Sequence, residues 1–376
     1  MKKIFLEDCC DILDSMRVPI TAKDRKSGIY PYYGANGLQD YVSDYIFDDE
    51  LVLLAEDGGH FNSKEHPIAY RVSGKCWVNN HAHVLRPKSG IDVDYLCYTL
   101  MFYDVSKMIN GTTRKKLNQS SMRKMLIPIV NYNEQLAIVY RLKIIENLID
   151  NRQQQLNLLD ELIESRFIEM FGDPVTNPMG WEYIFLSEAL KTKPQNGLYK
   201  PQSDYVKDNS GVPILRIDAF YDGKVKDFSK LKRLHCTEEE RKDFLLKEND
   251  IVINRVNSLE YLGKCAHITG LLENTVFESN MMRFHLLDEY NPVYVIKLLC
   301  SQYIKNQIMS CAKKAVNQAS INQQDVQKFI ILKPPIELQN KFADFVEQVE
   351  KTKVTIKKSL DELHLLKDSL MQKYFD

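Results

Sequence analysis

Two stretches of this chain, residues 138–170 and 342–374, space their side chains by alternating steps of four and three, and no other feature restricts the fold as much. In the first, Ile138, Leu142, Ile145, Ile149, Leu156, Leu159, Ile163 and Met170 keep the rule, with Arg152 and Arg166 as polar exceptions. In the second, Phe342, Val346, Val349, Lys353, Ile356, Leu360, Leu363, Lys367, Leu370 and Tyr374 keep it, starting just after Pro334-Pro335. An apolar repeat of about 3.5 residues is a coiled-coil seam, which one helix buries against another. At about 1.5 Å per residue, each stretch makes a rod of roughly 55 to 60 Å, longer than a domain of this size is wide. The two rods are therefore expected to pair. Asn131 with Glu134 predicts a capping box that opens the first helix, and Gly172 with Pro174 predicts its end.

The paired rods belong to a wider duplication. Ile4-Phe5-Leu6 recurs as Ile184-Phe185-Leu186, Leu117-Asn118-Gln119 as Ile321-Asn322-Gln323, and Leu159-Asp160-Glu161-Leu162 as Leu360-Asp361-Glu362-Leu363. The offsets are 180, 204 and 201, in the same order along both halves. The second half is thus read as a diverged copy with an insertion of about 24 residues between its first two landmarks. Before each rod, short apolar or alternating runs are broken by glycine and asparagine, which reads as a mixed α/β domain. Candidate strands are Leu51 to Ala55, His81 to Leu85, Pro213 to Ile217, Asp250 to Asn254 and Met281 to Leu287. The expected architecture is α/β (mixed): two globular domains separated by a pair of long antiparallel coiled-coil helices, related by a pseudo-twofold internal duplication. The expected segments are 1–130, 131–173, 174–335 and 336–376.

Composition narrows the function classes. Lys and Arg number 50 against 51 Asp and Glu, a formal charge of -1, which excludes a protein that holds nucleic acid by bulk charge and leaves room for a local basic patch. Glu7 and Asp8 interrupt the apolar start before it reaches the length of a signal peptide, and no run approaches the roughly 18 apolar residues of a membrane span. The 8 cysteines show no C-x-x-C spacing and read as reduced thiols. A cytoplasmic location without membrane association is expected.

Catalytic constellations are missing from the sequence in their familiar forms. Neither G-x-G-x-x-G nor G-x-x-x-x-G-K-[ST] occurs, and G-x-S-x-G and H-E-x-x-H are absent as well. Lys333-Pro334-Pro335-Ile336 lacks both ends of the tetrapeptide of DNA aminomethyltransferases. Cys76, His81 and His83 form an incomplete metal-ligand set and read as structural.

Nucleic acid is the better ligand class, because basic and amide side chains recur where each half runs toward its rod. The first cluster holds Arg114, Lys115, Lys116, Asn118 and Gln119; the second holds Lys313, Lys314, Asn317, Gln318 and Asn322. Lysine and arginine neutralise phosphates, while asparagine and glutamine pair bidentately with adenine edges. Asn79, Asn80 and His81, with Asn254, Arg255 and Asn257, are second-line candidates that equally suit turns.

These residues resemble the DNA specificity subunit of Type I restriction-modification systems. The resemblance is carried by Tyr32-Tyr33-Gly34-Ala35-Asn36-Gly37, Glu56-Asp57-Gly58-Gly59, Trp77 to Arg86 and Leu117-Asn118-Gln119, and in the second half by Asn249 to Arg255 and Ser279-Asn280. Glu134-Gln135 opening one helix, Phe171-Gly172-Asp173-Pro174 closing it and Gly180-Trp181 resemble the family's spacer and re-entry. One departure is Glu337-Leu338-Gln339, where the first half has Glu134-Gln135 adjacent. The resemblance implies two target recognition domains, 1–130 and 174–335, with a central spacer helix over 131–173 and a C-terminal one over 336–376. It also implies a non-catalytic chain that reads a split, asymmetric double-stranded DNA target and docks methyltransferase subunits, two of them, and restriction/translocase subunits. The chain itself would bind no cofactor; S-adenosylmethionine, ATP and Mg would sit on those partners. Two other classes stay open: a DNA-acting enzyme with an unrecognised active site, and a coiled-coil adaptor that binds only proteins.

Overall fold

The structure, a computed structural model, describes residues 2–63, 65–111, 115–316 and 318–375. It divides into two compact units, the first made of Met1–Gln155 and Ile356–Asp376, the second of Leu156–Thr355. The division falls inside both long helices, so each unit holds part of each rod.

In the first unit a six-stranded sheet runs in the order Cys10–Ile12, Ala82–Pro87, Phe47–Ala55, Ala69–Val78, Ser27–Gly34 and Gly37–Val42. Its pairings are antiparallel except that of Ser27–Gly34 with Ala69–Val78. Residues 51 to 55 are buried on both faces, which is why their sequence is a continuous apolar run without alternation. Leu51 and Leu53 enter one core, while Val52 and Leu54 join Leu6, Leu96, Leu117 and Ile127 in another. A separate pair, Lys2–Phe5 with Leu126–Ile129, ties the amino terminus to the segment that feeds the first rod.

The second unit repeats this plan with additions. The strand Glu182–Phe185 pairs with Ile330–Lys333 as Lys2–Phe5 pairs with Leu126–Ile129. Its six-stranded sheet runs Leu190–Asn196, Met281–Leu286, Asp250–Asn254, Cys265–His267, Gly223–Val225 and Phe220–Tyr221. A four-stranded sheet built from Tyr205–Val206, Lys232–Leu234, Val212–Leu215 and Val276–Phe277 takes up much of the extra sequence. The proposed strand Pro213 to Ile217 is therefore a shorter element that begins at Val212 and ends at Leu215.

The long helices are Tyr132–Phe171 and Ile336–Phe375, each of 40 residues, with both ends 204 positions apart. Asn131 caps the first, its Oδ1 accepting the Glu134 N–H at 3.0 Å, and Gly172 closes it in the left-handed region with φ 77°. In the first unit Ile138, Val139 and Leu142 share a core with Leu370, Met371 and Tyr374, and Arg141 donates to the Tyr374 hydroxyl at 3.1 Å. In the second unit the Phe167 ring packs edge-on to Phe342, and Lys353 pairs with Asp160. Within each unit the two helices therefore run antiparallel, and every seam residue named from the sequence is buried or half-buried.

Hydrogen bonds repeat at equivalent places in the two units. The Tyr95 hydroxyl donates to the Pro128 carbonyl at 2.9 Å, as Tyr294 does to Leu332 at 3.0 Å. The Asp92 N–H donates to Gln135 Oε1 at 2.9 Å, as the Asn291 N–H does to Gln339 Oε1 at 2.9 Å. Two sequence readings are corrected by this register. Leu338-Gln339 stands where the first half has Glu134-Gln135, so Glu337 is no counterpart of Glu134. The Leu159–Leu162 and Leu360–Leu363 tetrapeptides lie three residues out of step, and Leu363 is the counterpart of Leu159.

Candidate nucleic-acid interface

In each unit the interface grows from the end of one buried strand. The strand Phe47–Ala55 ends beside Ala82, and Asp250–Asn254 ends beside Met281. The next residue is then held identically: the Glu56 N–H donates to the His81 carbonyl at 2.8 Å and the Arg255 N–H to that of Asn280 at 2.8 Å. Their own carbonyls accept from Leu117 at 2.8 Å and from Ile321 at 3.0 Å. Glu56 and Arg255 are thus each brought against a residue of the polar cluster that lies more than 60 positions later in the chain.

Around Glu56 the first unit builds a charged network. Arg17 Nη1 donates to Glu56 Oε2 at 2.6 Å and to the Ala82 carbonyl at 2.7 Å, and Lys116 Nζ lies 2.9 Å from Glu56 Oε1. His83, fully buried, places Nδ1 2.6 Å from Asp14 Oδ2 and Nε2 2.8 Å from the Leu117 carbonyl. Gln119 Nε2 donates to the same Asp14 oxygen at 2.9 Å. Burial pushes the Asp14 and Glu56 carboxyls up, but His83 and the Val84 N–H at Asp14, and Lys116 and Arg17 at Glu56, outweigh it and hold both below their ordinary values. Asp14, Glu56 and His83 bring one ligand atom each within 4.8 Å of one another, yet cationic side chains and an amide already occupy the carboxylate oxygens. The Cys76–His81–His83 grouping considered from sequence does not form a centre: Cys76 lies in the sheet core with its thiol pushed up to about 12 by burial, and His81 pairs with Asp57.

The second unit uses backbone pairing for the same purpose. Val256–Asn257 pairs with Ala319–Ser320, which pairs in turn with Lys313–Lys314, so Asn257 and both lysines share one small sheet. Lys313 and Lys314 are exposed. Asn254 is fully buried with neither amide atom hydrogen-bonded, Arg255 donates from Nη1 to the Ser279 carbonyl at 3.3 Å, and Asn257 Oδ1 accepts from the Ser258 N–H at 2.8 Å.

Several sequence candidates do structural work instead. Asn118 and Asn322 are helix N-caps, their Oδ1 atoms accepting from Ser121 N–H at 2.8 Å and from Gln324 N–H at 2.8 Å. The recurrence of Leu117-Asn118-Gln119 as Ile321-Asn322-Gln323 therefore reports a repeated cap. Asn79 is buried and folded into its turn, accepting from the His81 N–H at 2.8 Å and donating to Gln39 at 3.2 Å, which removes it from the exposed surface. Asn80, Lys115 and Gln318 are exposed; Arg114 and Asn317 lie outside the described residues.

Sequence reasoning missed a basic and aromatic group beside Asn254. Lys264, whose carbonyl accepts the Asn254 N–H at 2.8 Å, places Nζ 3.8 Å from the Tyr221 ring centroid, and Lys226 Nζ lies 4.0 Å from the same ring. Burial, reinforced by Lys226, holds the Lys264 ammonium below its ordinary pKa. Tyr221 and Tyr261 are exposed there. These residues come from two segments about 40 positions apart, 221–226 and 261–264, so no spacing in the sequence marks them.

Comparison with known proteins agrees with this duplicated plan. The crystallised S subunit of a Type I restriction-modification system from M. genitalium is similar over 100% of this chain and 96% of that one, with a TM-score of 0.59 at 14% identity. A chain from a structural study of type I R-M complex assembly and conformational transition gives the same TM-score, 0.59, at 16% identity, over 100% of this chain and 97% of its own. In sequence, the specificity subunit of the EcoKI Type I restriction enzyme of Escherichia coli is 25% identical over 93% of this chain and 82% of its own length. The MjaIX specificity subunit of Methanocaldococcus jannaschii is 24% identical over 94% and 84%. The specificity subunit S.HindORF215P described for Haemophilus influenzae is 36% identical over a shorter match, 36% of this chain and 34% of that relative. Residues 1–161 and 178–365 match the Type I restriction modification DNA specificity domain, and the chain belongs to that family.

Proposed function

We propose that the chain reads a split, asymmetric double-stranded DNA target, one part with each unit, as the sequence-specificity subunit of a Type I restriction-modification complex. The observation that carries this reading is the pair of strand ends, built on one backbone plan and furnished with different side chains. Ala55, Glu56 and His81 in the first unit stand where Asn254, Arg255 and Asn280 stand in the second. Identical units would read two copies of one sequence; units that differ at the surface carrying the donors read two. Lys115, Lys116, Lys313 and Lys314 supply phosphate contacts, and Arg255, Lys226 and Lys264 extend the second surface.

Methyl transfer from S-adenosylmethionine and ATP-driven cleavage with Mg fall to partner subunits, and the chain contributes specificity. Two methyltransferase subunits and restriction/translocase subunits are the proposed partners. Support for docking on the helices comes from Tyr132, Leu136, Tyr140, Ile144 and Leu148, an exposed apolar row at steps of four on the first long helix. Methylome sequencing of a host carrying the complete complex tests the reading. Arg255→Ala together with Lys264→Ala is expected to weaken or relax one half of a two-part motif and leave the other half intact. Equal loss at both halves, or no two-part motif at all, would overturn it.

A further inference from the structure

We propose that Cys265 and Cys300 form a reversible redox pair, a site at which a peroxide closes a disulfide inside the second unit. Their Sγ atoms lie 3.5 Å apart, within hydrogen-bond distance for sulfur. Cys265 is fully buried on the strand Cys265–His267, while Cys300 caps the helix Pro292–Leu299 and is exposed. A thiol on a surface residue is thus backed by one on a fully buried residue, which is the arrangement of an attacking and a resolving cysteine.

The electrostatics separate Cys300 from four buried thiols. Burial pushes Cys9, Cys10, Cys76 and Cys97 up to about 12, which keeps them protonated and inert. Cys300 is held below its ordinary value chiefly by its hydrogen bond with Cys265; burial and Asp222 oppose this, and the Lys297 ammonium one helical turn back assists it. Thiolate character is what a peroxide requires.

In the first step the Cys300 thiolate attacks one oxygen of hydrogen peroxide, the O–O bond breaks, and hydroxide leaves and takes up a proton to become water. Cys300 is then a sulfenic acid. The Cys265 sulfur attacks the Cys300 sulfur, the S–O bond breaks, and the Cys265 proton departs with the oxygen as a second water. Two thiols give up two electrons and two protons, and one peroxide becomes two waters. The bond closes a segment spanning 35 positions and fixes a strand of the six-stranded sheet to the end of a helix whose Lys297 pairs with Glu164 on the first long helix.

The test uses the reduced full-length chain, titrated with hydrogen peroxide, blocked with N-ethylmaleimide and mapped by peptide mass spectrometry without reduction. The expected first product is an intramolecular Cys265–Cys300 peptide, reversed by dithiothreitol, with Cys9, Cys10, Cys76 and Cys97 still thiols. Cys265→Ser is expected to leave a Cys300 sulfenic acid that dimedone traps, and Cys300→Ser to abolish both products. Oxidation of another cysteine before Cys300, or Cys300 passing to sulfonic acid in wild-type chain without pairing, would overturn the proposal. The wild-type map alone decides it if either variant misfolds, and no DNA enters the assay, so its outcome is independent of the recognition reading.

Discussion

Gln135 and Gln339 make the same hydrogen bonds from the same place in two helices of equal length. Each Oε1 accepts a backbone N–H at 2.9 Å, from Asp92 and from Asn291, and each Nε2 donates to the carbonyl five residues earlier, Val130 at 3.0 Å and Pro334 at 2.8 Å. Both side chains are buried, at 1% and 0% exposure, and these amides join each helix start to the loop before a second helix. Truncating Gln339 strands two backbone groups, and truncating Gln135 strands three, since its Nε2 also donates to the Gly90 carbonyl at 3.0 Å. Gln135→Ala and Gln339→Ala are each expected to cost about 1–3 kcal/mol, read as a lower urea midpoint of the full chain. A cost below about 0.5 kcal/mol for both would mean that the repeated contact is incidental.

The Asp14–His83–Glu56 network predicts an acid limb. Both carboxyls sit below their ordinary values in the folded chain, so their contribution is present above the unfolded pKa of about 4 and is lost as pH falls through the folded values. Stability of the first unit should therefore decline below about pH 4. Asp14→Asn should lower stability at neutral pH by about 1–3 kcal/mol and flatten that decline. Chemical denaturation at several pH values between 3 and 7 checks both outcomes, and an unchanged acid slope in the variant would remove Asp14 from the explanation.

Lys353 is a polar residue in the middle of an apolar seam, with Nζ 2.5 Å from Asp160 Oδ1 and 3.4 Å from Glu350 Oε1. Burial pulls its pKa down, and the two carboxylates outweigh that and raise it, so its contribution is present at neutral pH and fades only as pH climbs above about 10.4 through the folded value. Asp160 is largely exposed, which keeps the pair weak. Lys353→Met should therefore change stability by less than about 1 kcal/mol, whereas Lys353→Ala, which leaves a gap in the seam, should cost about 1–2 kcal/mol. Equal costs for the two variants would show that the charge, not the packed stem, holds the position.

The rods were legible because one physical requirement, a continuous stripe buried against a partner, writes itself into every third or fourth residue from Ile138 to Met170. The strands Leu51 to Ala55 and Asp250 to Asn254 were legible for a related reason, since burial on both faces leaves the unbroken apolar runs Leu51 to Ala55 and Ile251 to Ile253. Tyr205–Val206, Val256–Asn257 and Lys313–Lys314 were not, because two residues carry no period and their pairing depends on distant partners. The recurrence at Asn118 and Asn322 was visible but its cause was not: a cap and a base contact ask for the same side chain. His83 and Asp14, 69 positions apart, meet only after the sheet has formed.

Lys116, Lys313 and Lys314 are expected to be phosphate contacts. Replacing any true contact by Ala should weaken DNA binding of the assembled complex across sequences and flatten the plot of log K against log salt by about 0.9 per contact. Lys116 carries a second signature, since with Arg17 its ammonium also neutralises Glu56; its loss leaves that carboxylate less fully neutralised, and Glu56→Gln should restore part of the affinity. An unchanged slope for all three would reduce these segments to solvated loops.

The continuous seam makes the rods a candidate ruler for the gap between the two parts of the target. One heptad inserted into each helix, at 155/156 and at 355/356, keeps the phase of the seam and adds roughly 10 Å of helix by the 1.5 Å rise. On DNA that length corresponds to about three base pairs at 3.4 Å each, accompanied by a rotation near 100° that the protein has to absorb. Activity with a longer gap, or loss of activity, are both consistent with a ruler. The sequences of the two half-sites should not change, because the strand ends at Glu56 and Arg255 and their lysines are untouched by the insertion. Methylome sequencing of an active insertion variant decides the matter: altered half-sites with the original gap would mean that the helices do not set the spacing and serve another purpose.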